Sequence, residues 1–357
     1  MSGAQDAGTP GSRSRSARPT ACIVINPSKR RATATMRGQL SAALREAGYT
    51  PHWLETTAAE PGAGQARLAV ASGARLVVAA GGDGTVRSVA AGLAGTGVEM
   101  GVAPLGTANL AARNLGIPLA DPARIVRIAA SGQARPCDLA WVSTQADDAQ
   151  EGFAGLAPPG GWARPTLGGE HACMVVAGVG FDAGLVASTR PGLKARIGWG
   201  AYAVAAMENL RHPRMDLVLS LDERPAPVRG GRSGDPRVRV ERLTARSLLV
   251  ANGGRLPAGI TLLPGARVDD GLLDIAAIDT VAGIVGWSSL ARQVLPPYAA
   301  AYADPERATG RVVQRRGSGI TVRLGAPALV EVDGDLLPPC RGVRVRLQAG
   351  AVRVRRP

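Results

Sequence analysis

The sequence predicts two domains: an N-terminal α/β domain on a parallel sheet, then a β-rich sandwich domain. Three observations carry this. At 357 residues the chain exceeds what one hydrophobic core usually serves. Its first third alternates short apolar runs with helix-length stretches, the rhythm of βαβ units. From Leu139 onward, short β-like runs are separated by Gly, Pro and Asp turns, which points to an antiparallel sandwich or barrel.

Residues 1–20 are expected to form a disordered basic tail, because the stretch GSRSRSARP (11–19) has no apolar periodicity. Residues 21–138 form the expected α/β domain. Ala21–Ile25 reads as a strand that ends at Asn26-Pro27-Ser28. A helical stretch from Thr35 to Ala47 stops at Gly48. Tyr49–Glu55 reads as the next strand, and Gly64–Ser72 as a helix stopped by Gly73. The apolar run Leu76–Ala80 follows, then a glycine turn and a helical pattern from Arg87 to Leu93. Met100–Ala103 is a short strand leading into a helix that ends near Leu115.

The second domain is expected over residues 139–357, its last residues packing back on the first. Its β-like runs are Leu139–Ser143, Ala172–Val176, Met215–Leu221, Arg237–Leu243, Ser247–Val250, Leu273–Ile278, Gly319–Leu324, Leu329–Val332 and Val343–Leu347. Helical patterns at Ile197–Leu210 and Val281–Leu290 interrupt them. The Gly- and Pro-rich stretch from Glu151 to Gly169 reads as a long loop.

Composition narrows the function classes. The chain is 45% hydrophobic but only 3% aromatic, and its formal net charge is +14. That balance favours an anionic partner such as acidic lipid, nucleotide or nucleic acid. There is no signal-peptide apolar core and no apolar run of about 18 residues, so no transmembrane helix is expected. Cys22, Cys137, Cys173 and Cys340 lie far apart without a C-x-x-C pair, which fits a reduced, cytoplasmic protein. His52, His171 and His212 are isolated and give no zinc pattern.

Residues 77–86, VVAAGGDGTV, carry the densest chemistry. A strand, a tight turn and a helix start leave free backbone N–H groups beside glycines, which is how proteins hold phosphate. No Gly-Lys-Ser/Thr follows, so this is not a Walker A loop. The competing reading is a glycine turn with Asp83 as a solvated cap. PLGTAN (104–109) repeats the strand, glycine turn and polar cap, and two such turns in one parallel sheet can face each other. NPSK (26–29) ends the first strand, either where open α/β sheets take ligands or simply as a strand-terminating turn. VDDGLLD (268–274) crowds three acids around one glycine, either hard oxygen ligands for Mg²⁺ or an Asp-Gly hairpin turn. EVDGD (331–335) is a second acidic turn, able to supply a base or merely to close a hairpin. GVGFDA (178–183) is a weaker, glycine-rich turn.

Taken together and in order, these segments resemble the diacylglycerol kinase catalytic-domain family, in particular soluble bacterial lipid kinases related to sphingosine kinases. NPSKR (26–30), GGDGTV (81–86), PLGTANLAARNLGIP (104–118), GVGFDA (178–183), LKARIGWGAY (193–202), ANGG (251–254), PGARVDDGLLD (264–274) and VDGD (332–335) carry the resemblance. It implies ATP bound between the two domains and a lipid hydroxyl, most simply that of diacylglycerol, as acceptor. By the same resemblance Asn26, Pro27, Ser28, Lys29, Arg30, Thr57, Gly81, Gly82, Asp83, Gly84, Thr85, Val86, Thr107 and Asn109 line the ATP site. Asp270, with the backbone oxygens of Arg267 and Leu272, would hold Mg²⁺. Asp335 would be the general base, with Asp83 beside the phosphates.

Three departures stand out. The family continues its glycine loop with a residue and then Asn-Glu, where this chain has Arg87-Ser88. Its second Gly-Thr is commonly followed by Asn-Asp, where this chain has Ala108-Asn109-Leu110. Its base is usually Glu, one methylene longer than Asp335. The resemblance further implies a protein that docks transiently on anionic membrane, for which Lys194, Arg196, Ile197, Trp199 and Tyr202 form a candidate face. No nucleic-acid partner is expected, and a dimer is left open. An NAD-kinase-like small-molecule kinase and a catalytically weak nucleotide- or lipid-binding regulator are the alternatives.

Overall fold

The structure is a computed structural model, and it describes residues 18–146, 157–158, 161–180, 213–223, 237–255, 263–280 and 310–357. In the first unit the strands are β1 (Thr20–Ile25), β2 (Thr50–Glu55), β3 (Leu76–Gly81) and β4 (Glu99–Pro104). The helices are α1 (Ala34–Glu46), α2 (Ala63–Ala71), α3 (Asp83–Leu93), α4 (Leu110–Asn114) and α5 (Pro122–Ser131). The strands run in the order β4-β3-β1-β2, all parallel. Parallel strands need crossover helices, and these cover both faces. On one face α1 and α5 bury Met36, Leu40, Leu44, Ile125 and Ala129 against Ile23, Ile25, Val78 and Ala80. On the other, Ala66 and Ala69 of α2 and Val86, Val89 and Leu93 of α3 pack on Val24, Val77 and Val102.

Local chemistry sets the helix ends. The Thr33 hydroxyl caps α1 by accepting from Met36 N at 3.2 Å. The expected helix ends at Gly48 and Gly73 are left-handed, with φ of 86° and 79°. Sequence reading passed over α5, although its signals are present. Asp121 accepts from Arg124 N at 3.0 Å, and Pro122 opens the helix.

The β-rich unit follows with β5 (Gln133–Ala146), β6 (His171–Cys173), β7 (Val176–Gly180), β8 (Met215–Glu223), β9 (Arg237–Ala245), β10 (Ser247–Ala251), β11 (Leu273–Thr280), β12 (Gly310–Gly317), β13 (Gly319–Val332) and β14 (Asp335–Arg356). β12 was not anticipated, and β5 begins six residues before the expected Leu139. The expected run Ala172–Val176 is broken at Met174 and Val175, because their N–H groups turn to the Asp333 carboxylate. Two expected strands fuse into β13 across a register shift between Arg323 and Ala328. The expected Val343–Leu347 is the middle of a 22-residue strand.

β13 and β14 change partners along their lengths. β13 pairs with β8 through Gly319–Leu324 and with β7 through Val330–Val332. β14 pairs antiparallel with β13 and β5, and its end, at Arg353 and Val354, pairs parallel with β4. Partner switching of this kind lets one ladder wrap around a core. That core holds Leu217, Leu219, Leu221, Ile320, Val322, Val343 and Val345 on alternating positions.

The expected helices at 197–210 and 281–290, the tail 1–17 and the docking face 194–202 lie outside the described residues, as do residues 181–183 of the GVGFDA turn.

Candidate active site

The phosphate-loop sequence forms the expected turn. Gly81 ends β3, Gly82 caps α3, and Val86 N donates the first helical bond to Gly82 O at 3.0 Å. The N–H groups of Asp83, Gly84 and Thr85 precede that bond and have no acceptor four residues back. A Cβ on Gly81 would lie 2.5 Å from Thr85 Cβ, so only glycine lets the turn close this tightly. Thr85 and Val86 are themselves buried, leaving their backbone rather than their side chains for a ligand.

The two glycine turns do face each other. A Cβ on Gly106 would sit 2.8 Å from Gly82 Cα, and one on Gly82 would be 3.8 Å from Lys29 Nζ. The first strand's end and both loops therefore meet at the carboxyl end of the parallel strands. Asn109 shapes the second loop. Its Oδ1 accepts from Gly106 N at 3.0 Å, and its Nδ2 donates to Gly106 O at 2.8 Å. Both ends of its amide are engaged inside the turn, while Thr107 is exposed at the tip. Asn26 Oδ1 accepts from Ser28 N and Oγ, which fixes the 26–30 turn, with Pro27 and Arg30 exposed. Thr57 is exposed, and its hydroxyl accepts from Glu60 N at 3.0 Å.

Asp83 crosses between the loops, accepting from Ala111 N of α4 at 3.1 Å. Burial pushes its carboxyl up to about 6. The nearby Asp333 charge adds to this, against the pull of the Ala111 and Asn109 amides and of Arg87.

The second acidic turn comes to the same place. Val332 pairs with Asp335, and Asp333-Gly334 between them have φ of 49° and 88°, a two-residue hairpin turn of the primed type. It is a hairpin turn, yet Asp333 faces inward. Asp333 is buried and accepts from Met174 N, Val175 N and Val176 N at 2.9–3.1 Å. Burial raises its pKa in spite of those donors and Arg87. Asp335 lies over the phosphate loop: a Cβ on Gly84 would be 3.5 Å from Asp335 Oδ2. Arg87 of α3 joins the two units, its Nη1 donating to Val332 O at 2.8 Å and its Nη2 to Asp335 Oδ2. One buried guanidinium thus serves a cluster of Asp83, Asp333 and Asp335. His171 lies near it, held down to about 4 by burial and by the Arg87 charge.

The expected metal turn belongs to a different cluster. Asp270 Oδ1 accepts from Leu272 N at 3.1 Å, and Asp270 Oδ2 meets Arg316 Nη2 at 2.5 Å. Arg316 also pairs with Asp274 at 3.0 Å, and Arg267 with Asp269 at 3.2 Å. The oxygen donors suit a hard divalent cation, and a guanidinium occupies that cationic place between Asp270 and Asp274. Mg²⁺ at this turn would compete with Arg316. Arg316→Ala is therefore expected to tighten Mg²⁺ binding by about threefold or more, read as a larger Mg²⁺-dependent rise in Tm. An unchanged or smaller rise counts against a cation site at Asp270.

Sequence reading missed the groups that brace this region. Asp138, buried, accepts from Gly271 N and from Gly350 N, each at 2.7 Å, tying the 268–274 turn to β14. Asn114 of α4 donates to Arg255 O and accepts from Arg255 N, joining the first unit to the loop after β10. Asn252 donates to Asp138 O and Met174 O, both at 3.0 Å. A cavity of about 660 Å³, bordered by Arg67, Trp141, Glu170 and Arg346, lies at the other end of α3 and touches none of the loop residues.

Comparison with known proteins agrees with this arrangement. The Diacylglycerol kinase catalytic domain family matches residues 20–142, and the YegS C-terminal NAD kinase beta sandwich-like domain matches residues 174–356. A protein of Xanthomonas axonopodis pv. citri (strain 306) named "Probable lipid kinase YegS-like" is 33% identical over 223 residues. That covers 61% of this chain and 60% of the relative. A protein of the same name from Pseudomonas aeruginosa (strain UCBPP-PA14) is 31% identical over 220 residues, 61% of this chain and 59% of the relative. The matched segment thus spans about 60% of the length of these relatives. In fold, the crystal structure of a diacylglycerol kinase from Bacillus anthracis str. Sterne superposes with a TM-score of 0.61 at 17% identity, over 95% of this chain and 97% of that one. Parallel-sheet α/β unit, β-rich unit and paired glycine loops all fit, and the chain belongs to the diacylglycerol kinase catalytic-domain family with its YegS-type C-terminal domain.

Proposed function

We propose that the protein is an ATP-dependent lipid kinase that transfers the γ-phosphoryl group of ATP to a lipid hydroxyl, with diacylglycerol as acceptor and phosphatidate as product. The observation that carries this reading is the approach of Asp335, from the second unit, to Gly84 of the phosphate loop. A carboxylate at that point is where a hydroxyl attacking a loop-bound phosphate would need a base. Phosphoryl transfer depends mainly on positioning and charge stabilisation. The N–H groups of Gly82, Gly84 and Thr85 would cradle phosphate oxygens, with the Lys29 ammonium beside Gly82 adding positive charge. Asp83 would orient the groups around the phosphates, and Asp335 would take the acceptor's proton. Asp270 and the backbone oxygens of Arg267 and Leu272 would hold Mg²⁺ in the separate acidic turn, in place of the Arg316 guanidinium, and the ion would offset the charge of that turn.

The acceptor is tested by offering ATP with diacylglycerol in detergent micelles or with NAD. Phosphatidate formation without NADP supports the lipid reading; NADP formation replaces it with the small-molecule kinase. ATP binding with neither product favours a regulator.

A lipid acceptor requires contact with a bilayer, and no described helix is long and apolar enough to cross one. The proposed contact is peripheral and electrostatic, supported by the net charge of +14. Each well-placed basic residue contributes about 1 kcal/mol near an anionic surface. Co-sedimentation with anionic vesicles is expected to exceed that with neutral vesicles and to weaken as salt shortens the Debye length. Equal binding to both vesicle types removes this contact from the proposal.

A further inference from the structure

Two of the three departures from the family pattern touch each other. Arg87 stands where Asn is usual and Asp335 where Glu is usual, 248 residues apart, and Arg87 Nη2 donates to Asp335 Oδ2. We propose that Arg87 is the positioning residue for Asp335, and that the two form one co-dependent unit in place of the family's Asn and Glu. The inference rests on the lipid-kinase reading of the site.

The geometry argues for more than a strut. Shortening Glu to Asp withdraws the carboxylate by one methylene, which a base within hydrogen-bond reach of its hydroxyl cannot ignore. The longer Arg reaches out from α3 into that space. Its side chain is 9% exposed, and Val332 O fixes the guanidinium at 2.8 Å at the root of the same hairpin that carries Asp335. Asp335, by contrast, is 52% exposed on its side chain and would otherwise sample several rotamers. The fork therefore takes its rigidity from a buried backbone oxygen and passes it to a solvent-facing carboxylate. The carboxylate so held lies at Gly84, where the reacting phosphate is expected. Removing Arg87 would leave the short carboxylate unanchored. Lengthening Asp335 with Arg87 in place would push the carboxylate out of line or expel the guanidinium. Neither change alone restores the family's pairing of Asn at position 87 with Glu at position 335; both together do.

The test is a double-substitution cycle on the full chain: Arg87→Asn, Asp335→Glu and the pair, with kcat for lipid phosphorylation, KM for ATP and Tm measured for each. Each single substitution is expected to lower kcat by about tenfold or more while KM for ATP stays within about twofold. The double variant is expected to recover to within about threefold of the starting protein, a coupling that independent sites do not show. A merely structural Arg87 would lower Tm without a kcat loss that Asp335→Glu repairs. Losses that simply multiply in the double variant, or an Arg87→Asn variant with full kcat, overturn the inference. Should Arg87→Asn fail to fold, Arg87→Lys carries the test. It keeps the charge but lacks the fork. A lower kcat at unchanged Tm supports positioning, and full kcat overturns it. A starting protein that phosphorylates no lipid overturns the kinase reading and this inference with it. A lipid-active protein with multiplying losses overturns the inference alone.

Discussion

Asp335→Asn is expected to lower kcat by at least about 100-fold, the usual contribution of a positioned general base, while ATP affinity stays within about twofold. The base acts on the acceptor hydroxyl, so its loss leaves nucleotide contacts in place. The fold should survive. Asn retains an oxygen that can accept from Arg87, and the Asp335 side chain is half exposed, so no charge-burial network depends on it alone. Paired measurements of nucleotide affinity and turnover check this. A variant that keeps most of its turnover removes Asp335 from the chemistry and leaves the turn as a hairpin only.

Asp83→Asn is expected to cost about 100-fold or more in kcat, comparable to losing a preorganised electrostatic group, with Tm at neutral pH unchanged or raised. The stability half follows from the carboxyl's position near 6 in the folded protein. The unfolded chain releases the same proton near pH 4. A pKa raised by folding contributes stability that is fully present below pH 4 and lost as pH rises through about 6. At neutral pH the folded state therefore carries a buried charge that Asn removes, while Asn keeps an acceptor for Ala111 N. Across that interval the starting protein should lose stability with rising pH more steeply than the variant. If ionised Asp83 is the working form, kcat should show an acidic limb near pH 6. Equal turnover in the variant, or identical Tm slopes between pH 4 and 6, contradicts the role assigned to Asp83.

What was legible in the sequence was what is encoded locally. The left-handed Gly48 and Gly73 and the strand–glycine–helix passage at 76–93 announce themselves within a few residues, and the parallel sheet follows from their alternation. The meeting of the two glycine loops was foreseeable for the same reason: each sits at the same end of a neighbouring parallel strand. β14 was read as five residues because Pro338, Pro339, Gly342 and Gly350 break its alternation. In the fold, partner changes and register shifts absorb those breaks. β12 hid behind its charge, GRVVQRRG, whose arginines serve Glu241, Asp270 and Asp274.

The site's second half was legible only as residue types. Nothing near Asp333 announces that its carboxylate would take three N–H groups from residues 174–176, and nothing near Asp138 announces Gly271 and Gly350. Those pairings are set by how β5, β7, β13 and β14 lie together. The same holds for Arg87 and Asp335. Each looked like a separate flaw in a family motif until the fold put them in contact.

The most direct test of the lipid-kinase reading is transfer of γ-³²P from ATP into a total lipid extract by the purified full chain, with identification of the labelled product, beside the Asp335→Asn variant. The expected result is a labelled phospholipid that comigrates with phosphatidate and is absent with the variant. Labelled inorganic phosphate alone, or a labelled lipid formed equally by both proteins, would contradict it.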